Sequence, residues 1–216
     1  MIDSNILKID KILALNVSRE TLRELEDYSK EIINRNTRIN LISKNTEKSI
    51  KSRHIEDSAQ TIDFIDKNDI EVCTDLGSGA GFPGIVLGIL MKSKKPLFKT
   101  ILYEKSYHKS NFLKEMSKKF KINTEVYRKN IFEQKNLSTD VIISRAFKPL
   151  PIIFEIAQKN FINFKYIIFF LGKSRKKILN DALKNWNFDY EEKKSLTNNE
   201  STVVKIYNLK KKWIRK

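Results

Sequence analysis

A single cysteine, Cys73, stands in 216 residues. That excludes an intramolecular disulfide and fits a reducing cytoplasm. Histidine is almost as scarce: His54 and His108 have no metal-ligand spacing with the cysteine or with a carboxylate cluster, so no metal site is expected. Long apolar runs are also missing. The best, residues 85–91 and 166–171, fall far short of the ~20 residues that a membrane-spanning helix needs. No basic-then-apolar leader opens the chain, so a signal peptide is not expected. Internal repeats and low-complexity linkers are absent, which at this length predicts a single globular unit. Negative charge is in the minority, with 26 Asp and Glu against 42 Lys and Arg, a net +16. Glycine and proline are few, at six and four, yet four of the six glycines fall within residues 77–84.

The positive excess points to a polyanionic partner, most simply nucleic acid. A second reading stands beside it, because a chain rich in Lys, Asn and Ile together is also what an AT-rich genome produces. Forty per cent hydrophobic residues suffices for a folded core. Residues 18–65 read as helical: Thr21 and Glu24 have capping-box spacing, and Leu22, Leu25, Tyr28 and Ile32 follow at near-helical intervals. A break over residues 40–45 precedes a second helical stretch with Ile50, Ile55, Ala59 and Ile62 on one face. From residue 71 the period changes. Strand-like runs at 71–76, 100–104, 124–127, 141–144 and 166–171 alternate with helical patterns, predicting a parallel sheet with right-handed crossovers. Two final strands, 188–196 and 201–209, are separated only by Thr197-Asn198-Asn199-Glu200 and read as an antiparallel hairpin. Residues 1–65 then form an N-terminal helical extension packed on a core of residues 66–216.

The first strand runs into Gly77-Ser78-Gly79-Ala80-Gly81, with Pro83 suited to the first turn of a helix. Glycines there permit positive φ and let a ligand lie on bare backbone. An open α/β sheet binds ligands at the carboxyl ends of its strands, so a cofactor is expected here. Gly79-x-Gly81-x-x-Gly84 matches a dinucleotide fingerprint, which keeps an NAD-dependent oxidoreductase open. Two features favour S-adenosylmethionine. Asp75 supplies a carboxylate for the ligand's cationic amino-acid end, where the dinucleotide fingerprint usually has an apolar residue. The frame Gly77-x-Gly79-x-Gly81 also places the sharp turn directly after Leu76. Glu104, at the end of the second strand, can accept from both ribose hydroxyls of either cofactor. The fold class expected is α/β: a Rossmann-like class I methyltransferase with a mostly parallel seven-stranded sheet, helices on both faces and the antiparallel C-terminal hairpin.

At this point the sequence resembles a family. Asp75-Leu76-Gly77-Ser78-Gly79-Ala80-Gly81-Phe82-Pro83-Gly84-Ile85 looks like the signature of the RsmG (GidB) ribosomal RNA methyltransferases. So do Asn40-Leu41-Ile42-Ser43, Arg53-His54-Ile55-Glu56-Asp57-Ser58 and Ile143-Ser144-Arg145-Ala146-Phe147. The resemblance implies methyl transfer to N7 of a guanine in the decoding region of 16S ribosomal RNA. It implies that Gly77 and Phe82 line the cofactor site, that Asn130 and Ile131 flank the adenine, and that Arg145 lies beside cofactor and target base as the catalytic candidate. The family often carries an acidic residue after the third strand, where this chain has Ile131. Its Lys-Gly after the fifth strand is replaced by Gly172-Lys173, so the resemblance gives Lys173 no precise role.

The chemistry agrees by omission. Guanine N7 is a lone-pair acceptor with no proton to lose, so the reaction needs positioning rather than a general base or covalent nucleophile. No (Asp/Asn/Ser)-Pro-Pro-(Tyr/Phe) block for amine methylation follows the fourth strand, and Cys73 lies inside the first strand, where a structural thiol is expected. His54, Asp57 and Ser58 would share a helical face, either bordering the site or locking the N-terminal helices onto the sheet. Arg145 is either a structural ion pair or a site residue. RNA contacts are expected from Lys105, Lys109, Arg128, Lys148 and Lys173. The partner is 16S RNA or the assembled small subunit, and the enzyme a monomer; a protein or small-molecule methyltransferase and a non-catalytic RNA-binding assembly factor remain open.

Overall fold

The computed structural model describes residues 17–65 and 69–213. The expected extension before residue 17 and residues 214–216 lie outside the described residues. Helix α1, Arg19–Asn36, buries Leu25, Tyr28 and Ile32, a three- and four-residue spacing that puts them on one stripe. Its cap corrects the sequence reading. Ser18, in extended conformation, accepts from the Thr21 N–H at 3.1 Å, so the helix begins a turn before the Thr21–Glu24 capping box expected. At the other end Asn36 turns the chain: its side-chain oxygen accepts from the N–H groups of Leu41 and Ile42 at 2.8 and 2.9 Å.

The second helical stretch is not one helix. A short α2, Lys44–Glu47, leads into a π turn, Lys51–Glu56, then α3, Asp57–Ala59, and α4, Ile62–Ile65. Ile50, Ile55, Ala59 and Ile62 are all buried, as expected. The step from Ile50 to Ile55 is five residues, however, which an i→i+5 turn brings to one face and an α-helix does not.

Strands β1 (Val72–Leu76), β2 (Lys99–Tyr103), β3 (Thr124–Tyr127), β5 (Val141–Ser144), β7 (Tyr166–Leu171), β8 (Trp186–Lys194) and β9 (Thr202–Lys211) form a seven-stranded sheet in the order β3-β2-β1-β5-β7-β9-β8. All neighbours are parallel except β7–β9 and β8–β9, the expected closing hairpin. Short β4 (Leu137–Ser138) and β6 (Phe161–Asn163) pair separately. Alternate residues of β5 and β7 point to opposite faces. Val141, Ile143 and Ile168 join a core shared with α1, while Ile142, Ile167 and Phe169 join a second core under α7, Leu150–Asn160, and α8, Arg175–Asn185. Every residue of α5, Gly84–Met91, is buried, and its apolar character all round is what a helix covered on both sides requires. Helix α6, Tyr107–Lys119, follows β2. Order reverses at β1, with β2 and β3 on one side and β5 and β7 on the other, so a crevice opens at the carboxyl ends of β1 and its neighbours.

Candidate active site at the carboxyl edge of the sheet

The glycine loop occupies that crevice. Gly77, Gly79 and Gly81 have φ of 71°, 56° and 91°, values that disfavour any residue with a Cβ. A Cβ on Gly77 would lie 2.2 Å from the Phe147 ring, whereas one on Gly79 would find only the Gly77 carbonyl oxygen, at 3.8 Å. Gly79 therefore presents bare backbone to open space. Beyond the loop Phe82 joins Pro83 through a cis peptide bond, and Pro83 precedes α5.

A cavity of about 530 Å³ opens here, within the range of small-molecule sites. Of the residues singled out in the sequence, Gly77, Gly79, Phe82, Glu104, Asn130, Ile131 and Arg145 all line it. Glu104 follows β2 rather than ending it; its two oxygens accept from the N–H groups of Gly79 at 3.0 Å and Ser106 at 2.8 Å. Asn130 caps a single 3₁₀ turn, accepting from Phe132 N–H at 3.3 Å. Arg145 is pinned from four sides. Its guanidinium lies between the rings of Phe82 and Phe170, at 5.9 and 5.6 Å, 3.4 Å from Asp57 Oδ2, and donates to the Arg53 carbonyl. Arg145 is thus both an ion-pair partner and a wall of the cavity. Its Nη1 is buried with no acceptor among the described residues.

Asp75 is placed differently. It sits beneath the loop, off the cavity wall, where Oδ2 accepts from Gly84 N–H at 3.1 Å and Oδ1 finds no donor among the described residues. Burial pushes its carboxyl up to about 7, opposed by the Gly84 N–H, the Ser78 side chain and Arg145 and helped by the Glu104 charge. Of the expected RNA-contacting residues, Lys105, Lys109 and Lys148 are on the cavity wall and Lys129 joins them. Arg128 instead lies over the Tyr107 ring at 5.3 Å, and Lys173 pairs with Glu200 at 2.7 Å.

Of the two readings open for His54, bordering the site or locking the N-terminal helices, the structure puts its ring on the cavity wall, stacked on Phe82 with centroids 4.9 Å apart and planes at 15°. Its Nε2 meets the Thr46 hydroxyl at 3.1 Å, not Asp57, because the π turn breaks the helical face the two would have shared. Burial, with Arg145 and Arg53 nearby, pushes the imidazole down to about 4. Leu41 and Ile42 also reach the wall. The conspicuous Asn40–Ser43 and Arg53–Ser58 blocks were the available signal for all three.

Asp75 and His54 give opposite pH slopes. A carboxyl held near 7 in the fold keeps a proton that the unfolded chain has lost, so its contribution is full below about 4 and vanishes as pH rises through about 7. An imidazole held near 4 contributes above about 6.5 and loses that contribution as pH falls toward 4. Asp75→Asn should remove the first slope alone. In urea melts at pH 5, 6, 7 and 8 the variant should gain on wild type by a few kcal/mol toward high pH, at about 1.4 kcal/mol per tenfold change in proton affinity. A pH-independent difference would mean that Asp75 is ionised throughout.

Among the described residues no helix is long and apolar enough to cross a membrane, and no group of His, Cys, Asp and Glu could hold a metal. Two solved structures share the fold. A SAM-dependent methyltransferase from Aquifex aeolicus superposes with a TM-score of 0.55 at 16% identity, over 73% of this chain and 92% of that one. The 16S rRNA methylase RmtB superposes with a TM-score of 0.51 at 9% identity, over 93% and 79%. In sequence the chain is similar to proteins called ribosomal RNA small subunit methyltransferase G. That of Pelagibacter ubique (strain HTCC1062) is 49% identical across 91% of this chain and 93% of its own length. That of Ruegeria pomeroyi is 36% identical across 89% and 93%. The GidB family, described as rRNA small subunit methyltransferase G, matches residues 21–206, and the chain belongs to it.

Proposed function

We propose that this chain transfers a methyl group from S-adenosylmethionine to N7 of one guanine in the decoding region of 16S ribosomal RNA, acting as a cytoplasmic monomer. The observation that carries the reading is one cavity gathering the glycine turn, Glu104, Asn130, Ile131 and Arg145 at the carboxyl ends of β1, β2, β3 and β5. The residues present suit the cofactor. Gly79 leaves room for a ligand against the backbone, and Arg145 Nη1 is a buried donor still lacking an acceptor. Glu104 would hold the ribose hydroxyls, Asn130 and Ile131 the adenine, and Gly77 and Phe82 the methionine end. Asp75 would support the site through Gly84 and the loop. When bound, the cofactor supplies an electrophilic sulfonium methyl. Everything else falls to the chain: excluding water and presenting the base edge to that methyl.

The four lysines on the wall suit a polyanion, because among the described residues none of their ammonium groups pairs with a carboxylate. Residues 17–65 share one core with β1, β5 and β7, which supports treating the N-terminal extension and the Rossmann-like core as one working unit.

Incubation with labelled S-adenosylmethionine and either naked 16S RNA or small subunits tests the reading, with borohydride–aniline cleavage locating N7-methylguanine. Label on protein or on 23S RNA would refute the substrate. Thermal stabilisation by NAD and not by S-adenosylhomocysteine would overturn the cofactor. Glu104→Ala should weaken S-adenosylhomocysteine binding by at least roughly 10- to 100-fold in calorimetry, the scale of one charge-assisted hydrogen bond of about 1.5–3 kcal/mol. An unchanged affinity would place the ribose elsewhere.

A further inference from the structure

We infer that Asp57 is the positioning residue for Arg145, and that the turn between β8 and β9 holds Asp57 in place; this rests on the role proposed above for Arg145. The two oxygens of Asp57 are divided between different tasks. Oδ1 accepts from the side chains of Gln60 at 2.7 Å, Ser195 at 3.1 Å and Thr197 at 3.2 Å. Oδ2 faces the Arg145 guanidinium at 3.4 Å. Gln60 is fully buried and accepts from Leu196 N–H at 3.2 Å, while the Ser195 hydroxyl accepts from Thr197 N–H at 3.2 Å. Ser195 lies 138 residues along the chain from Asp57. The network therefore ties three distant segments together: α3 with the residue after it, the loop after β5 and the closing hairpin.

Three neutral donors on one oxygen fix the carboxylate's orientation without neutralising it. The remaining oxygen then directs the guanidinium, which also packs against the Phe82 and Phe170 rings. The π turn contributes too, since it brings the Arg53 carbonyl and the Asp57 carboxylate to the same guanidinium. Asp57 does not line the cavity, so it acts on the reaction only through Arg145.

The test compares Asp57→Asn, Asp57→Ala, Arg145→Ala and the Asp57→Ala/Arg145→Ala double variant, each assayed for kcat, both KM values and melting temperature. Asp57→Asn keeps the volume and an acceptor for Ser195 and Thr197 but not the charge. It should stay folded, melting only a few degrees below wild type for the lost ion pair, and lose roughly 10- to 100-fold in kcat, the scale of a ~1 Å misplacement from a remote change. In the Arg145→Ala background, Asp57→Ala should cost less than about twofold further, as coupled residues are non-additive. Wild-type kcat in Asp57→Asn would overturn the inference, as would independent, multiplying losses in the double variant. If Arg145→Ala itself turns over normally, the role of Arg145 fails as well. An inactive Arg145→Ala beside a fully active Asp57→Asn sinks the Asp57 inference alone.

Discussion

Arg145→Ala should lower methyl transfer by about 10²-fold or more while leaving the fold intact. The guanidinium occupies a site that other residues complete without it. Asp57 retains the donors Gln60, Ser195 and Thr197, so removing Arg145 does not leave a bare buried carboxylate, and the stability cost should stay near that of one pair, about 1–2 kcal/mol. The catalytic cost is larger because the group is preorganised. Ring faces, ion pair and backbone acceptor fix its direction before any ligand arrives, and Nη1 is left unspent. Two acceptors of the right kind would be present in the working complex, the cofactor's carboxylate and guanine O6. A rise in the KM for S-adenosylmethionine would assign it to the first, and a fall in kcat with both KM values unchanged to placement of the base. Turnover within a few-fold of wild type, in protein shown folded by circular dichroism, would leave Arg145 as a structural ion pair and nothing more.

Particular residues show how far the sequence reached. Strands β3, β5 and β7 have the bounds read from the sequence; for β5 and β7 that is because a buried parallel strand is a short apolar run between turn residues. The glycine loop was legible for the same reason, since a run needing positive φ admits few other residues. What escaped were features set by tertiary contact. The α1 cap moved to Ser18 because two hydroxyls compete for one turn, and spacing alone does not choose between them. The π turn hid in an apolar pattern that fits an α-helix almost as well, and with it went the expected His54–Asp57 pairing. Asp75 shows the deeper limit. Its place at the strand end was clear, but alternation put its side chain under the loop, where it meets Gly84 N–H and is shielded from water. Charge at a motif position indicates what a residue could bind. Only the surrounding chain decides what it faces.

Gly81→Ala should be among the most destabilising single changes in the loop. A Cβ on Gly81 would lie 2.4 Å from the Tyr28 hydroxyl, 2.5 Å from Ile85 and 2.9 Å from Leu113, at a φ of 91° that an L side chain rarely adopts. None of these neighbours can easily retreat. Tyr28 is fully buried among Phe82, Phe112 and Phe120, and its hydroxyl donates to the Ala80 carbonyl, so this contact pins α1 to the loop. Overpacking at about 1–3 kcal/mol and the left-handed conformation at about 1–2 kcal/mol together remove a sizeable part of a typical 5–15 kcal/mol stability. At about 2–4 °C per kcal/mol for a chain of this size, the melting temperature should fall by roughly 5–15 °C. Gly79→Ala separates folding from binding. Its Cβ meets open space, so the conformational cost of about 1–2 kcal/mol stands alone and melting should shift by only a few degrees. On the role proposed for Gly79, the added methyl would stand where the cofactor touches backbone, and S-adenosylhomocysteine affinity should collapse. Were the two variants to melt alike, the packing of Tyr28 against the loop would not be what holds α1 to the sheet. Were Gly79→Ala to bind normally, the open backbone at Gly79 would not be the cofactor's seat.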